Sequence, residues 1–223
     1  MPQPRLQFLL CLLVYTLIVR LLPYVLMNCD IQTDPSVLYY PWNFSPLTAV
    51  CLFGGAFLAD RRMSFVLPLA IVLMSDIGIA AVSGRADWAF PVNEKWEFEF
   101  IRLGAWATRY LSFSLAVAAG CWLRNWKPRH FPAAALATGL TYEVLFFGVS
   151  NFMAWWMPTE TQRYPFTAAG LFECYVAALP FFGKSLLGTA AFTALLFSPL
   201  GVRAATEADG ESSTGELARI RVK

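Results

Sequence analysis

Residues 6–26 read LQFLLCLLVYTLIVRLLPYVL, an apolar run carrying a single charge, Arg20. At 1.5 Å rise per residue, an α-helix of this length covers roughly 30 Å, the thickness of a bilayer's hydrocarbon core. Arg5 precedes it, as a leader peptide would require, but no small-x-small cleavage pattern follows, because the run continues Leu22-Pro23-Tyr24-Val25-Leu26. A lipoprotein signal is excluded as well, since Leu10 stands before Cys11 where a small residue is needed. The segment reads as a retained first span.

Five more apolar segments follow: Pro46–Ala59, Ser64–Ser83, Leu103–Leu123, Pro132–Val149 and one ending near Leu200. Pro46–Ala59 is short, so it either thins the bilayer or starts in a half-buried segment near Trp42. The last apolar region, Thr167–Leu200, is too long for one span and is broken by Pro180, Gly183 and Lys184. This places the membrane helix after Lys184 and makes Leu171–Phe182 an interfacial or re-entrant helix. The expected fold is an all-α membrane protein, a six-transmembrane-helix bundle with an interrupted last helix. One domain covers residues 1–203, and the polar stretch 204–223 is expected to be a disordered cytoplasmic tail.

Composition agrees. The 223 residues are 57% hydrophobic and 14% charged, with a mean hydropathy of +0.52, whereas a soluble domain carries about 25% charged residues. The formal net charge of +2 supplies no field to recruit polyanions, which excludes nucleic acid as a partner and leaves the lipid bilayer as the main one. Five cysteines, at 11, 29, 51, 121 and 174, include no Cys-x-x-Cys pair, and His130 is the single histidine, so no thiolate or multi-histidine metal set exists and no cofactor is implied.

Basic residues set the expected orientation. With the N-terminus in the cytoplasm, Arg5, Arg61, Arg62, Arg124, Lys127, Arg129 and Arg203 fall inside, and the loop 28–40, with Asp30 and Asp34 and no basic residue, falls outside. The expected location is a bacterial inner membrane with both termini cytoplasmic.

Three charges stand out within the oil: Arg20, Asp76 and Glu143. Each costs at least ~2.5 kcal/mol in a span and must face the bundle interior, a partner or water. Their spans all run outward in this orientation, and the helical rise brings all three to nearly one depth in the outer half. Ser75, Tyr142, Ser150 and Asn151 reach the same level. Two readings stand: an ion-pair cluster pinning three helices, or a polar pocket opening outward beneath aromatic loops that bear Tyr39, Tyr40, Trp42, Trp155, Trp156 and Tyr164. Glu173 and Tyr175 are placed to line the pocket, or in the case of Glu173 to sit among headgroups.

Small residues mark faces where helices approach closely: Gly55-x-x-x-Ala59, Ala116-x-x-x-Gly120 and Ala135-x-x-x-Gly139. They serve either packing within the chain or docking of a partner. There is no Gly-x-Ser-x-Gly elbow and no His-Glu-x-x-His pair, so the chain is not read as an enzyme.

Several runs together resemble a known group: Asn43-Phe44-Ser45-Pro46-Leu47-Thr48-Ala49 with Leu52-Phe53-Gly54-Gly55-Ala56, Pro68-Leu69 with Ser75-Asp76, Ser150-Asn151-Phe152 with Trp155, Tyr164-Pro165-x-Thr167-x-x-Gly170-Leu171, and Cys174-Tyr175 with Ala177-Ala178-Leu179-Pro180-Phe181-Phe182. From Arg20 to Leu200 the chain is similar to an uncharacterised bacterial multi-pass membrane family labelled as transport proteins, which is related to the substrate-binding S components of energy-coupling-factor transporters. The resemblance implies a six-helix S-component-like bundle and a small-molecule site near the outer face, which here maps to Asn43, Ser45, Asp76, Asn151, Trp155 and Tyr164. Many S components carry an Ala-x-x-x-Ala face on the first span, whereas here that span reads Leu9-Leu10-Cys11-Leu12-Leu13-Val14-Tyr15.

Two functions are expected from these residues. The first is capture or transport of a small organic nutrient from the outer face, with Arg20, Asn43, Ser45, Asp76, Glu143, Asn151, Trp155, Tyr164 and Tyr175 as the binding set. An energising membrane subunit would then dock on the Gly55/Ala59 or Ala135/Gly139 face. The alternative is a non-transporting scaffold or assembly subunit that holds a partner on those same small-residue faces.

Overall fold

The computed structural model describes residues 6–29, 31, 44–58, 60–86, 89–93, 97–126, 130–156 and 164–206. These form α1 (Leu6–Asn28), α2 (Leu47–Phe57), α3 (Arg61–Ser83), α4 (Phe100–Leu123), α5 (Phe131–Trp156), α6 (Ala168–Leu196) and α7 (Pro199–Thr206). Among the described residues the only extended pairing is an isolated bridge between Val92 and Phe98.

Four helices are long and apolar enough to cross a membrane: α1 over Leu10–Asn28, α3, α5 and α6. Their outer surfaces are oily. Leu10, Val14, Ile18 and Leu22 repeat every fourth residue along α1 and are all exposed, as are Leu145, Val149 and Phe152 on α5. Stripes of this kind suit lipid and not water, and the fold is that of a membrane-embedded protein.

α2 differs from the others. All eleven of its residues are buried. At 1.5 Å per residue it is about 16 Å long, half the thickness of a bilayer core. The expected second span is thus a short central post wrapped by α3, α4, α5 and α6. A helix that is hydrophobic on every side has this one stable place. Its tightest neighbour is α4: a Cβ on Gly55 would collide with the Val117 carbonyl and lie 2.9 Å from the Gly120 Cα, and one on Gly120 would strike the Leu52 carbonyl. Gly139 on α5 meets Thr189 of α6 in a similar way, at 3.0 Å from the built Cβ. Gly55, Ala116, Gly120, Ala135 and Gly139 thus take part in packing within the chain; Ala59 lies outside the described residues.

The C-terminal end of α2 is locked by charge and by rings. Arg124, just past α4, donates through Nε to the Gly55 carbonyl at 2.8 Å and through Nη2 to the Leu58 carbonyl and to Ser64 Oγ. These carbonyls are orphans of a helix end, where a cation is also favoured by the helix dipole. Asp60 then caps α3 by accepting from the Arg62 amide at 2.8 Å. Beside them Phe53, Phe57, Phe131 and Phe197 pack with centroid separations of 4.4–5.9 Å.

Contacts also give helix directions. Arg20 meets Ser75 and Asp76 while Asn28 meets Val82, so α1 and α3 run parallel. Glu143 meets Ser185 and Thr189 while Tyr175 meets Gly148, so α5 and α6 run antiparallel.

The expected interruption of the last helix is not there. α6 is one helix of 29 residues that carries Pro180 in its interior. Proline removes one backbone donor, yet neighbouring helices let an apolar helix absorb this loss. Thr167 starts α6 by accepting from the Gly170 amide at 3.1 Å, well before the predicted start at Lys184. The polar tail begins inside α7, which runs to Thr206; residues 207–223 are outside the described set.

The glycine crossing makes a clear prediction. Gly55→Leu must push α2 off the α4 backbone, and overpacking of this kind costs about 1–3 kcal/mol or more. The variant is expected to lose its monodisperse peak in size-exclusion chromatography of the detergent-solubilised protein. Gly148→Ala, whose added Cβ meets nothing within 4 Å, should move the melting temperature by no more than about 2 °C.

Candidate functional site

Asp76 is fully buried on α3 and is held from two sides. Arg20 of α1 donates through Nη2 to Oδ1 at 2.8 Å and through Nη1 to Ser75 Oγ. Arg109 of α4 donates through Nη1 to Oδ2 at 2.9 Å, and the Tyr110 hydroxyl reaches the same oxygen at 3.3 Å. The Ser75 hydroxyl in turn donates to the Val72 carbonyl at 2.7 Å. One carboxylate thus joins three helices, with a guanidinium on each of its two oxygens.

Glu143 on α5 forms a second cluster and is 3% exposed. Its Oε1 accepts from Thr48 Oγ1 of α2 and from Thr189 Oγ1 of α6, both at 2.7 Å, and its Oε2 accepts from Ser185 Oγ at 2.6 Å. Among the described residues its hydrogen-bond partners are these three hydroxyls. They satisfy a buried carboxylate without cancelling its charge.

Both clusters border one cavity of about 190 Å³, lined by Arg20, Ser45, Leu47, Thr48, Arg109, Phe113, Tyr142, Glu143, Phe146 and Ser185. The cavity sits at the N-terminal end of α2, opposite the phenylalanine lock. Ser45 Oγ accepts from the Leu47 amide at 3.3 Å where that helix begins. Among the described residues the buried Tyr142 hydroxyl has no hydrogen-bond partner.

Of the residues expected at the site, Arg20, Ser45 and Glu143 line the cavity, and Asp76 lies behind the arginines. Arg20 pairs with Asp76, while Glu143 faces Arg20 across the space and does not bond to it. Asn151 donates to the Phe147 carbonyl of its own helix at 2.8 Å. Trp155 donates to the Pro165 carbonyl at 2.9 Å and Tyr175 to the Gly148 carbonyl at 2.6 Å, so both fasten α5 to the start of α6, away from the cavity. Tyr164 lies in that same connection and does not line the cavity. Asn43 is outside the described residues.

Arg109, Thr48, Ser185 and Thr189 were missed. Arg109 had a usable signal, since it stands inside the apolar run 103–123 where any charge needs a partner. The hydroxyls had none: serines and threonines are frequent in membrane helices, and their sequence positions do not show which of them face a carboxylate.

The triad's structural part can be tested by stability. Asp76→Asn strands two guanidiniums, and removing one partner of a buried pair costs about 3–5 kcal/mol. For a chain of this size the melting temperature in detergent is expected to fall by more than about 6 °C. Arg109→Met leaves Asp76 paired with Arg20 and should cost clearly less. An Asp76→Asn protein that melts with the parent would show that the pairs do not hold the helices.

A family model described as "Family of unknown function (DUF6580)" matches residues 1–208. No curated protein matches the chain. No solved structure matches it either. The family match spans all seven helices and every residue lining the cavity, and the chain belongs to this family of unknown function.

Proposed function

We propose that the protein captures or transports a small organic solute, which it takes from the outer face of a bacterial inner membrane into the cavity between Arg20, Arg109 and Glu143. The carrying observation is one space bordered both by the Arg20–Asp76–Arg109 cluster and by Glu143, inside a bundle of apolar helices. A purely structural role accounts for Arg20, Asp76 and Arg109, which bond to one another. It leaves unexplained why Glu143, on another helix, is held among the described residues by hydroxyls alone and faces the same cavity. Ionisable groups kept in a membrane at this cost are a functional-site signature.

Access fits the outer face. The α2 C-terminal end is packed with phenylalanines and carries Arg61, Arg62 and Arg124, the basic cluster that belongs in the cytoplasm. The cavity lies at the other end, and both termini then fall in the cytoplasm. The parallel course of α1 and α3 and the antiparallel course of α5 and α6 suit a six-pass, S-component-like path with α2 and α4 descending. The scaffold alternative is weakened because Gly55 and Gly139 pack inside the chain.

Native mass spectrometry of the purified protein in detergent tests this reading. The expected result is a retained small molecule that is lost from Arg109→Gln and from Glu143→Gln while these proteins stay folded. No retained molecule, together with no melting shift across a library of water-soluble metabolites, would overturn it.

A further inference from the structure

Resting on the capture reading above, we infer that the solute is a single-chain amphiphile, with its polar head in the cavity beside Arg20, Arg109 and Glu143 and its hydrocarbon tail in a second, apolar space between α4 and α5. That second space has a volume of about 540 Å³. Its walls come from α4, α5 and Trp126 just past α4. It begins at Trp122 and Trp126, where the two helices connect, and extends to Val149. Leu115, Leu145 and Val149 on its rim are exposed, so it opens on the surface that faces lipid. Ser112 and Thr138 in its wall donate their hydroxyl protons to the Thr108 and Ala134 carbonyls of their own helices. What remains is a groove suited to hydrocarbon.

The two spaces share two side chains. Tyr142 and Phe146 border both, and their rings are stacked with centroids 6.0 Å apart and planes 11° from parallel. This pair stands where the polar cavity meets the groove. From Tyr142 the groove follows α5 back to Ala134, eight residues or about 12 Å along the helix. With the polar cavity at the outer end, that course points toward the opposite face of the bilayer, as the tail of an outer-leaflet amphiphile does. The buried Tyr142 hydroxyl, which has no hydrogen-bond partner among the described residues, lies at the same junction. An unpaired buried hydroxyl is costly and rare, and a polar atom at the base of the head would answer it.

Matching of surfaces completes the argument. A wholly polar solute would fill the cavity and make no use of the groove. A plain hydrocarbon would fill the groove and leave the guanidiniums, hydroxyls and carboxylate of the cavity unmatched. A head joined to a tail complements both. The volumes of about 190 and 540 Å³ together fall inside the roughly 300–1,000 Å³ of sites for drug-sized ligands. The smaller one limits the head to a compact group, about the share of six waters.

The test begins with the full chain purified in detergent and moved into nanodiscs of one synthetic phosphatidylcholine, so that bulk lipid has a single known mass. Native mass spectrometry with fragmentation then identifies any other molecule retained. The expected result is an amphiphile with one alkyl chain. Ala137→Trp fills the groove from an exposed position on its wall and is expected to lower the occupancy about fivefold or more. Leu111→Trp adds the same ring at an exposed position of α4 outside the groove and is expected to keep it. The molecule held by the parent protein decides the matter where Ala137→Trp fails to fold. A retained molecule without an alkyl chain, or one that a folded Ala137→Trp protein holds as well as the parent, overturns the amphiphile and leaves capture standing. If only the disc lipid stays bound, the amphiphile falls, and capture falls with it unless a water-soluble metabolite shifts the melting temperature.

Discussion

Asp76 is a carboxylate with no exposure to solvent, placed in a helix whose composition belongs in hydrocarbon. Such a charge has to be met by polar partners, and here guanidiniums come to it from two other helices. Arg20 fixes the rotation and depth of α1 against α3, since Ser75 and Asp76 accept from the same guanidinium. Arg109 does the same for α4. Between apolar helices in lipid, close packing drives association but specifies register poorly. A single buried anion with two directional partners specifies it well. It also ties three helices at one point, where a one-to-one pair would tie two.

The cavity beside these charges follows from the length of α2. A post of about 16 Å cannot fill a layer of about 30 Å. Its C-terminal half is sealed by Phe53, Phe57, Phe131 and Phe197, and its C-terminal carbonyls are tied by Arg124. Its N-terminal end stops short at Ser45–Leu47, and the volume beyond is where Arg20, Arg109 and Glu143 meet a common cavity. The glycine crossing at Gly55 and Gly120 holds the post in that position. Fold and site therefore share one cause: a fully buried half-length helix, pulled close to α4, leaves a polar chamber at one end.

Long apolar runs were legible because hydropathy and helical rise answer to lipid thickness alone: 6–26, 64–83, 103–123 and 132–149 all became helices that overlap their predicted ranges. The intramembrane charges Arg20, Asp76 and Glu143 were legible for the same reason. The pairing was not. Equal depth brings residues to one level but leaves their rotation about each helix axis open, so Arg20 and Glu143 were expected together although Glu143 faces hydroxyls. Trp155 and Tyr175 have the composition of a binding rim, yet they spend their polar atoms on the carbonyls of Pro165 and Gly148. Backbone acceptors are invisible in a residue list, and this is why aromatic residues near span ends could not be divided into rim and rivet.

The continuity of α6 is the clearest case of tertiary structure overriding a local signal, and it bears directly on the site. A break at Pro180 and Gly183 would have separated Ser185 and Thr189 from Tyr175, which fastens the earlier part of α6 to α5. As one helix, α6 holds Ser185 and Thr189 one turn apart on a single face, so that they reach the two oxygens of Glu143. The proline costs a hydrogen bond to the carbonyl one turn back, at Val176. Within the same stretch Phe182 stacks on Phe147 of α5 at 4.3 Å, and Tyr175 packs against that ring and binds Gly148. The α5 contacts on either side of Pro180 keep the helix straight enough to deliver both hydroxyls. The anionic wall of the cavity thus depends on packing about two turns away from it, where α5 and α6 meet through aromatic rings.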